Sequence, residues 1–339
     1  MSRLHLSLFL TTALLAAPLA AQQSRITVTR QGDSALVVRL GPVNLPAGAD
    51  HHAIAQLALQ SWRMPAGGWL RGYKVEMVDR AGNLLPGALL HHAEMADLDR
   101  RDLLRPAINR IVSSGKESGA LILPPGMGYP VVANQQLGIN AMLANPTATA
   151  YPAAYVRATI TLIPAGTPNV RNVMSFYAET SYDSTGNSDF DLPAGESQKV
   201  VQFTVPVAGA VLAVGGHIHD YGTRFVVVRA GTTDTIYNVV PRLDSTGAVS
   251  GMPTLPMFGR AVRIAPGDGF VMTVFYNNTS GRMLAGAGMG TFGVVFAPDD
   301  PSQWPPLDRT DRGVQHDLAD LRNPHQHVMT QGMDPRMKM

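Results

Sequence analysis

A glycine or a proline stands at about every sixth position of this chain, which has 33 glycines and 25 prolines in 339 residues. Long helices are not built at that density, because proline removes a backbone donor and glycine leaves the chain conformationally loose. Between the breakers, apolar and polar residues alternate. Examples are Arg25-Ile-Thr-Val-Thr-Arg30, Gly72-Tyr-Lys-Val-Glu-Met-Val78, Tyr155-Val-Arg-Ala-Thr-Ile-Thr-Leu162 and Val200-Val-Gln-Phe-Thr-Val205. A period of two puts every second side chain on one buried face of a strand. The pattern predicts an all-β chain of sandwiches or jelly rolls.

Pro164-Ala-Gly-Thr-Pro168 ends one alternating run and sets an expected boundary between two tandem jelly-roll β-sandwich domains, 25–165 and 170–298. Residues 299–339, rich in Pro, Asp, Arg, His and Met, read as a flexible tail with few apolar anchors. Two helical stretches are expected: one over Arg100–Val112, limited by Pro106, and a weak one over Val314–Arg322.

Hydrophobic residues make up 45% of the chain and charged ones 15%, so a core can form. The net charge of +2 supplies no broad field for nucleic acid. Cysteine is absent, which removes disulfides, zinc–thiolate sites, iron–sulfur clusters and thiol nucleophiles. There is no Gly-x-Ser-x-Gly, phosphate-binding glycine loop or His-Glu-x-x-His, the signatures of three common hydrolytic or nucleotide sites.

Residues 1–21 carry Arg3, an apolar run from Leu6 to Ala17, and Ala20-Ala21 before a polar stretch. That is the pattern of a cleaved secretory signal peptide, the alternative being an uncleaved anchor. The expectation is a bacterial protein of the periplasm or medium, not inserted in the membrane after cleavage.

The histidines are grouped. His217-x-His219 lies in Gly215-Gly-His-Ile-His-Asp-Tyr-Gly222. At that spacing both rings of a strand point to one face, with Cβ atoms ~7 Å apart, and can converge on one ion. Two exposed surface rings would be the plainer explanation. The adjacent pair His91-His92 would face opposite sides of a regular strand, so it could share an ion only at a bulge. His51-His52 sits beside a turn. Met289, in Gly286-Ala-Gly-Met-Gly290, is either a gap-filler or a soft ligand. The end of the chain holds His316, His325, His327 and Met329, Met333, Met337, Met339, donors suited to weak Cu(I) capture.

In order and spacing, five segments resemble the catalytic core of the type II copper, ascorbate-dependent monooxygenases, the peptidylglycine alpha-hydroxylating and dopamine beta-monooxygenases. They are Leu89-Leu-His-His-Ala-Glu-Met95, Leu121-Ile-Leu-Pro-Pro-Gly-Met-Gly-Tyr129, Gly216-His-Ile-His-Asp-Tyr-Gly222, Pro266-Gly-Asp-Gly-Phe-Val-Met272 and Gly288-Met-Gly-Thr-Phe-Gly-Val-Val295. The resemblance covers roughly residues 45–298. It implies two sandwiches with one copper each across a cleft. His217, His219 and Met289 would form the oxygen-activating site. His91, His92 and a third ligand would form an electron-storing site, reloaded by a reductant such as ascorbate. Asp220 and Glu94 would orient histidine rings.

The departures are specific. Where the family carries the third histidine of the first site, Leu137-Gly-Ile-Asn-Ala-Met-Leu143 offers Met142, and a thioether favours Cu(I). Gly215 stands in place of the family's arginine, and Gly293 in place of its tyrosine. Those two residues recognise a peptide carboxylate in the peptide-hydroxylating members, so a small organic substrate is expected instead. Three classes stay open: a copper monooxygenase, a copper storage or delivery protein without turnover, and a metal-free binding module.

Overall fold

The structure is a computed structural model, and it describes residues 25–50, 53–115, 120–180, 189–245 and 247–323. The expected leader, His51-His52 and the His/Met segment from His325 onward lie outside these residues. The first eleven strands are β1 (Arg25–Gln31), β2 (Ala35–Leu45), β3 (Leu57–Arg63), β4 (Gly68–Val78), β5 (Leu90–Arg101), β6 (Ile108–Gly115), β7 (Leu121–Ile122), β8 (Met127–Val131), β9 (Gln136–Leu143), β10 (Tyr151–Pro164) and β11 (Arg171–Asn172). Next come β12 (Met174–Glu179), β13 (Phe190–Leu192), β14 (Gly195–Val205), β15 (Gly209–Ile218), β16 (Gly222–Arg229), β17 (Thr235–Val239), β18 (Arg242–Leu243) and β19 (Val249–Gly251). The last are β20 (Leu255–Pro256), β21 (Val262–Ile264), β22 (Asp268–Asn278), β23 (Leu284–Gly288) and β24 (Gly290–Pro298), followed by helix α1 (Arg312–Arg322). Among the described residues the protein is all-β apart from this helix and two short 3₁₀ turns.

Two pairs of sheets repeat one topology. In the first half, β2-β10-β4-β8 faces β3-β9-β5-β6. In the second, β12-β24-β15 with β20 and β21 faces β14-β22-β16-β17. Counting eight main strands in chain order, both halves read 1-8-3-6 over 2-7-4-5, the jelly-roll order. Alternation fills each core. Leu36, Val38 and Leu40 of β2 are fully buried, as are Met272 and Val274 of β22. Burying each such side chain contributes about 1.5–3 kcal/mol.

The halves meet along the edge strands β6 and β12. The Asn109 side-chain amide donates to Ser175 O (2.8 Å), and Ser175 Oγ donates to Arg110 O (2.7 Å). Arg105 grips Glu179 with two bonds, 2.6 and 3.0 Å.

Two expectations are corrected. Arg100–Val112 is not helical. β5 ends there, a turn around Pro106 follows, and β6 begins, because Ile108 and its neighbours find ladder partners on β5. Nor is the whole segment from Asp299 a flexible tail, since it is docked as far as residue 323. Trp304 is buried and its indole N–H donates to Arg101 O, 2.8 Å. Asp311 caps α1 by accepting from Gly313 N (2.7 Å). Val314, Leu318 and Leu321 form one helical stripe and pack on Ala96, Leu98 and Ile108. Asp317 accepts two bonds of 2.7 Å from Arg110 and one of 2.8 Å from Ile108 N. The tail's few apolar residues suffice because they cover an apolar strip that the first sandwich leaves open on its outer face.

Candidate metal centre

In the second sandwich, Ile218 is buried in the core, so alternation along β15 turns His217 and His219 to the other face. Their ring centroids lie 5.2 Å apart with planes at 87°. Two imidazoles holding one ion at about 2.0 Å have centroids about 3.2 Å from it, which at a tetrahedral angle sets them about 5 Å apart. His219 Nδ1 lies 3.2 Å from Ala287 O. A carbonyl can only accept, so the neutral ring carries its proton on Nδ1 and presents the lone pair of Nε2.

Met289 stands between β23 and β24, just before the strand that neighbours β15. β24 pairs with β15 so that Thr291 opposes His217 and Gly290 opposes Ile218. A Cβ on Gly290 would sit 2.6 Å from Val274 and 2.8 Å from Thr180. That position therefore faces the core, and Met289 directly precedes it in the chain. Its backbone is clamped: Met289 N donates to Tyr276 Oη at 3.0 Å, and the Tyr276 hydroxyl donates in turn to Met289 O. Burial pushes the Tyr276 hydroxyl above its ordinary range, so it stays a neutral donor.

This histidine face looks toward the first sandwich. Glu179, Thr291 and His217 form one row across β12, β24 and β15, and Tyr177, Gly293 and Gly215 form the next. Glu179 carries the Arg105 contact, and the Tyr177 hydroxyl bonds the Ser113 backbone. The Tyr177 ring covers Gly293, where a Cβ would stand 3.1 Å from it. Beside His217, then, the floor is two glycines under a tyrosine supplied by a different strand.

In the first sandwich, β5 has an irregularity between Leu90 and His92, where three residues of β5 span two of β9. This is the bulge an adjacent histidine pair needs in order to share a side. The His91 and His92 centroids are 5.3 Å apart with planes at 43°. His92 pairs directly with Met142 on β9 and with Gly115 on β6. Ala141 and Leu143 are buried in the core, so Met142 stands on the outer face with His92.

The expected carboxylate partners make other contacts. Asp220 Oδ1 accepts from Val249 N at 2.8 Å, and Glu94 lies 3.6 Å from Arg110 Nε. On α1, His316 pairs with Asp320 at 2.9 Å. Among the described residues no three His, Asp or Glu side chains converge. Two imidazoles with one thioether would suit copper better than a hard ion. Sequence reasoning missed Tyr276 and the Ala287 carbonyl. Tyr276 alternates like any core aromatic, and a carbonyl carries no residue signature.

No family model matches this chain, and no curated protein matches it. Among solved structures it is similar to the STIV major capsid protein (9% identity, 86% of this chain and 99% of that one, TM-score 0.37). It is also similar to the major capsid protein P2 from bacteriophage PM2 (11% identity, 78% and 98%, TM-score 0.35). A third is PNGase F, a glycosylasparaginase from Flavobacterium meningosepticum (12% identity, 78% and 96%, TM-score 0.38). Likeness at this level carries no argument about function.

Proposed function

We propose that the chain is a secreted copper-dependent monooxygenase that acts on a small neutral organic molecule with dioxygen and an external reductant such as ascorbate. One observation carries the reading: each sandwich gathers two imidazoles at a spacing suited to one ion, with a methionine at hand, on sheets whose edge strands meet. His217, His219 and Met289 would hold one ion and His91, His92 and Met142 the other. When bound, copper would supply oxygen activation and one-electron transfer. The remaining tasks belong to the protein. The Ala287 carbonyl keeps the His219 proton on Nδ1, and Tyr276 fixes the Met289 backbone. Gly215, Gly293 and the Tyr177 ring make a neutral surface beside His217. Arg105 and Arg110, which reach this junction, are engaged by Glu179 and Asp317. An anionic substrate would find no spare cation among these groups, which supports a neutral one.

Met142 supports a second reading, a carrier that holds Cu(I) and passes it on without turnover. The test is copper content per chain, then oxygen uptake with ascorbate across a screen of C–H and thioether compounds. Two coppers with substrate-coupled uptake are expected. Two coppers without coupled uptake would favour the carrier, and no copper would leave a metal-free binding module.

A further inference from the structure

A cavity of about 30 Å³ lies at the open edge of the first sandwich, where β12 of the second closes it. Its walls come from both halves: Leu70, Tyr73, Val112 and Leu123 on one side, Val173 and Met174 on the other. The lining is apolar, and most of its polar side chains have partners. The Tyr129 hydroxyl lies 2.8 Å from both Asp97 and Asn109. Ser175 Oγ donates to Arg110 O, and Arg71 Nε donates to Leu123 O at 3.1 Å. The exception is Tyr73. Its side chain is 3% exposed and its hydroxyl has no hydrogen-bond partner. A buried donor without an acceptor is unfavourable, and phenylalanine would fill the same position without that cost.

We propose that this cavity binds a small neutral organic molecule, apolar except for one hydrogen-bond acceptor that the Tyr73 hydroxyl engages. One water needs about 10–15 Å³ of such space, so the occupant is of about two or three non-hydrogen atoms, the size of ethanol or acetonitrile. Because both sandwiches supply walls, an occupant also ties them together. The proposal does not depend on copper.

The experiment is saturation-transfer NMR on the full chain with ethanol and acetonitrile as probes. Saturable binding is expected for the wild type and for His217→Ala, which leaves this cavity untouched. Tyr73→Phe should weaken binding about fivefold to tenfold, the loss of one hydrogen bond, without lowering the melting temperature. Val173→Leu, which adds one methylene to the wall, should block the probes and serves as the test if Tyr73→Phe does not fold. Equal binding by wild type and both variants, absence of saturation, or a crystal soak with water alone on Tyr73 Oη would overturn the proposal.

Discussion

Asn145 and Asn278 occupy matching places in the two sandwiches and hold matching groups. The Asn145 amide donates to Leu45 O, Pro46 O and Thr149 O, and its carbonyl accepts from the Thr147 amide and hydroxyl. The Asn278 amide donates to Leu192 O, Pro193 O and Arg282 O, and its carbonyl accepts from the Ser280 amide and hydroxyl. Both side chains are essentially fully buried. Each clamps a Leu-Pro-Ala-Gly turn, residues 45–48 in one half and 192–195 in the other. Gly48 and Gly195 both have positive φ, +67° and +83°, which a side chain would disfavour.

Replacing either asparagine by alanine strands several buried carbonyls and amides. Each variant should lose about 2–4 kcal/mol in denaturant unfolding. The double variant should lose the sum within about 0.5 kcal/mol, since the two clusters share no partner. A loss below about 1 kcal/mol for both singles would show that water replaces the clamp without cost.

Met142 decides the character of the first copper group in the proposed function. Met142→His should shift that group from Cu(I) toward Cu(II) and lower its reduction potential, because imidazole is the harder ligand. Met289→Ala should remove one copper per chain while leaving the first group's potential in place. Metal analysis and voltammetry of the loaded protein read both outcomes.

Truncation separates the docked strap from the segment beyond it. Ending the chain after Asn323 should leave the melting temperature nearly unchanged. Ending it after Pro298 removes the buried Val314, Leu318, Leu321 and Trp304 and should destabilise the protein by several kcal/mol, about 1.5 °C for each.

The strap also carries a pH dependence. Burial by itself would raise the Asp317 carboxyl, but Arg110 outweighs it and holds the group below its ordinary range. A depressed carboxylate stabilises the fold above about pH 4 and loses that contribution as the pH falls through the folded value. Asp317→Asn should cost about 2–3 kcal/mol at neutral pH, because Arg110 loses its closest charge partner and keeps Glu94, at 3.6 Å. It should also flatten the acid limb of the stability curve.

Asp102 has the opposite sign. Burial lifts its carboxyl to about 6, although Arg105 and the Leu104 and Arg105 amides pull the other way. A raised value means that the protonated form is favoured in the fold. Stability from this group is therefore complete below about pH 4 and is lost as the pH rises through about 6. Asp102→Asn keeps an acceptor for both amides, so it should add about 2–3 kcal/mol at pH 7 and little at pH 4. Equilibrium unfolding at the two pH values checks this.

The strands were legible in the sequence because a buried face imposes a period of two on every residue of a strand. That is why Tyr155–Leu162 and Val200–Val205 fall inside β10 and β14. The grouping of histidines was legible for the same reason, since His217 and His219 share a face at any i, i+2 spacing in an extended chain. What lay beyond the sequence depends on contacts between distant residues. The bulge that turns His91 toward His92 is a property of β5 against β9, not of β5 alone. Met142 faces His92 only through their register. The strap docks because Ala96, Leu98 and Ile108 leave an apolar strip that Val314, Leu318 and Leu321 match, and neither stripe signals the other. The strand order that both jelly rolls share was not legible, because order is decided by which strands pair, while local sequence specifies only that a strand exists and which of its faces is buried.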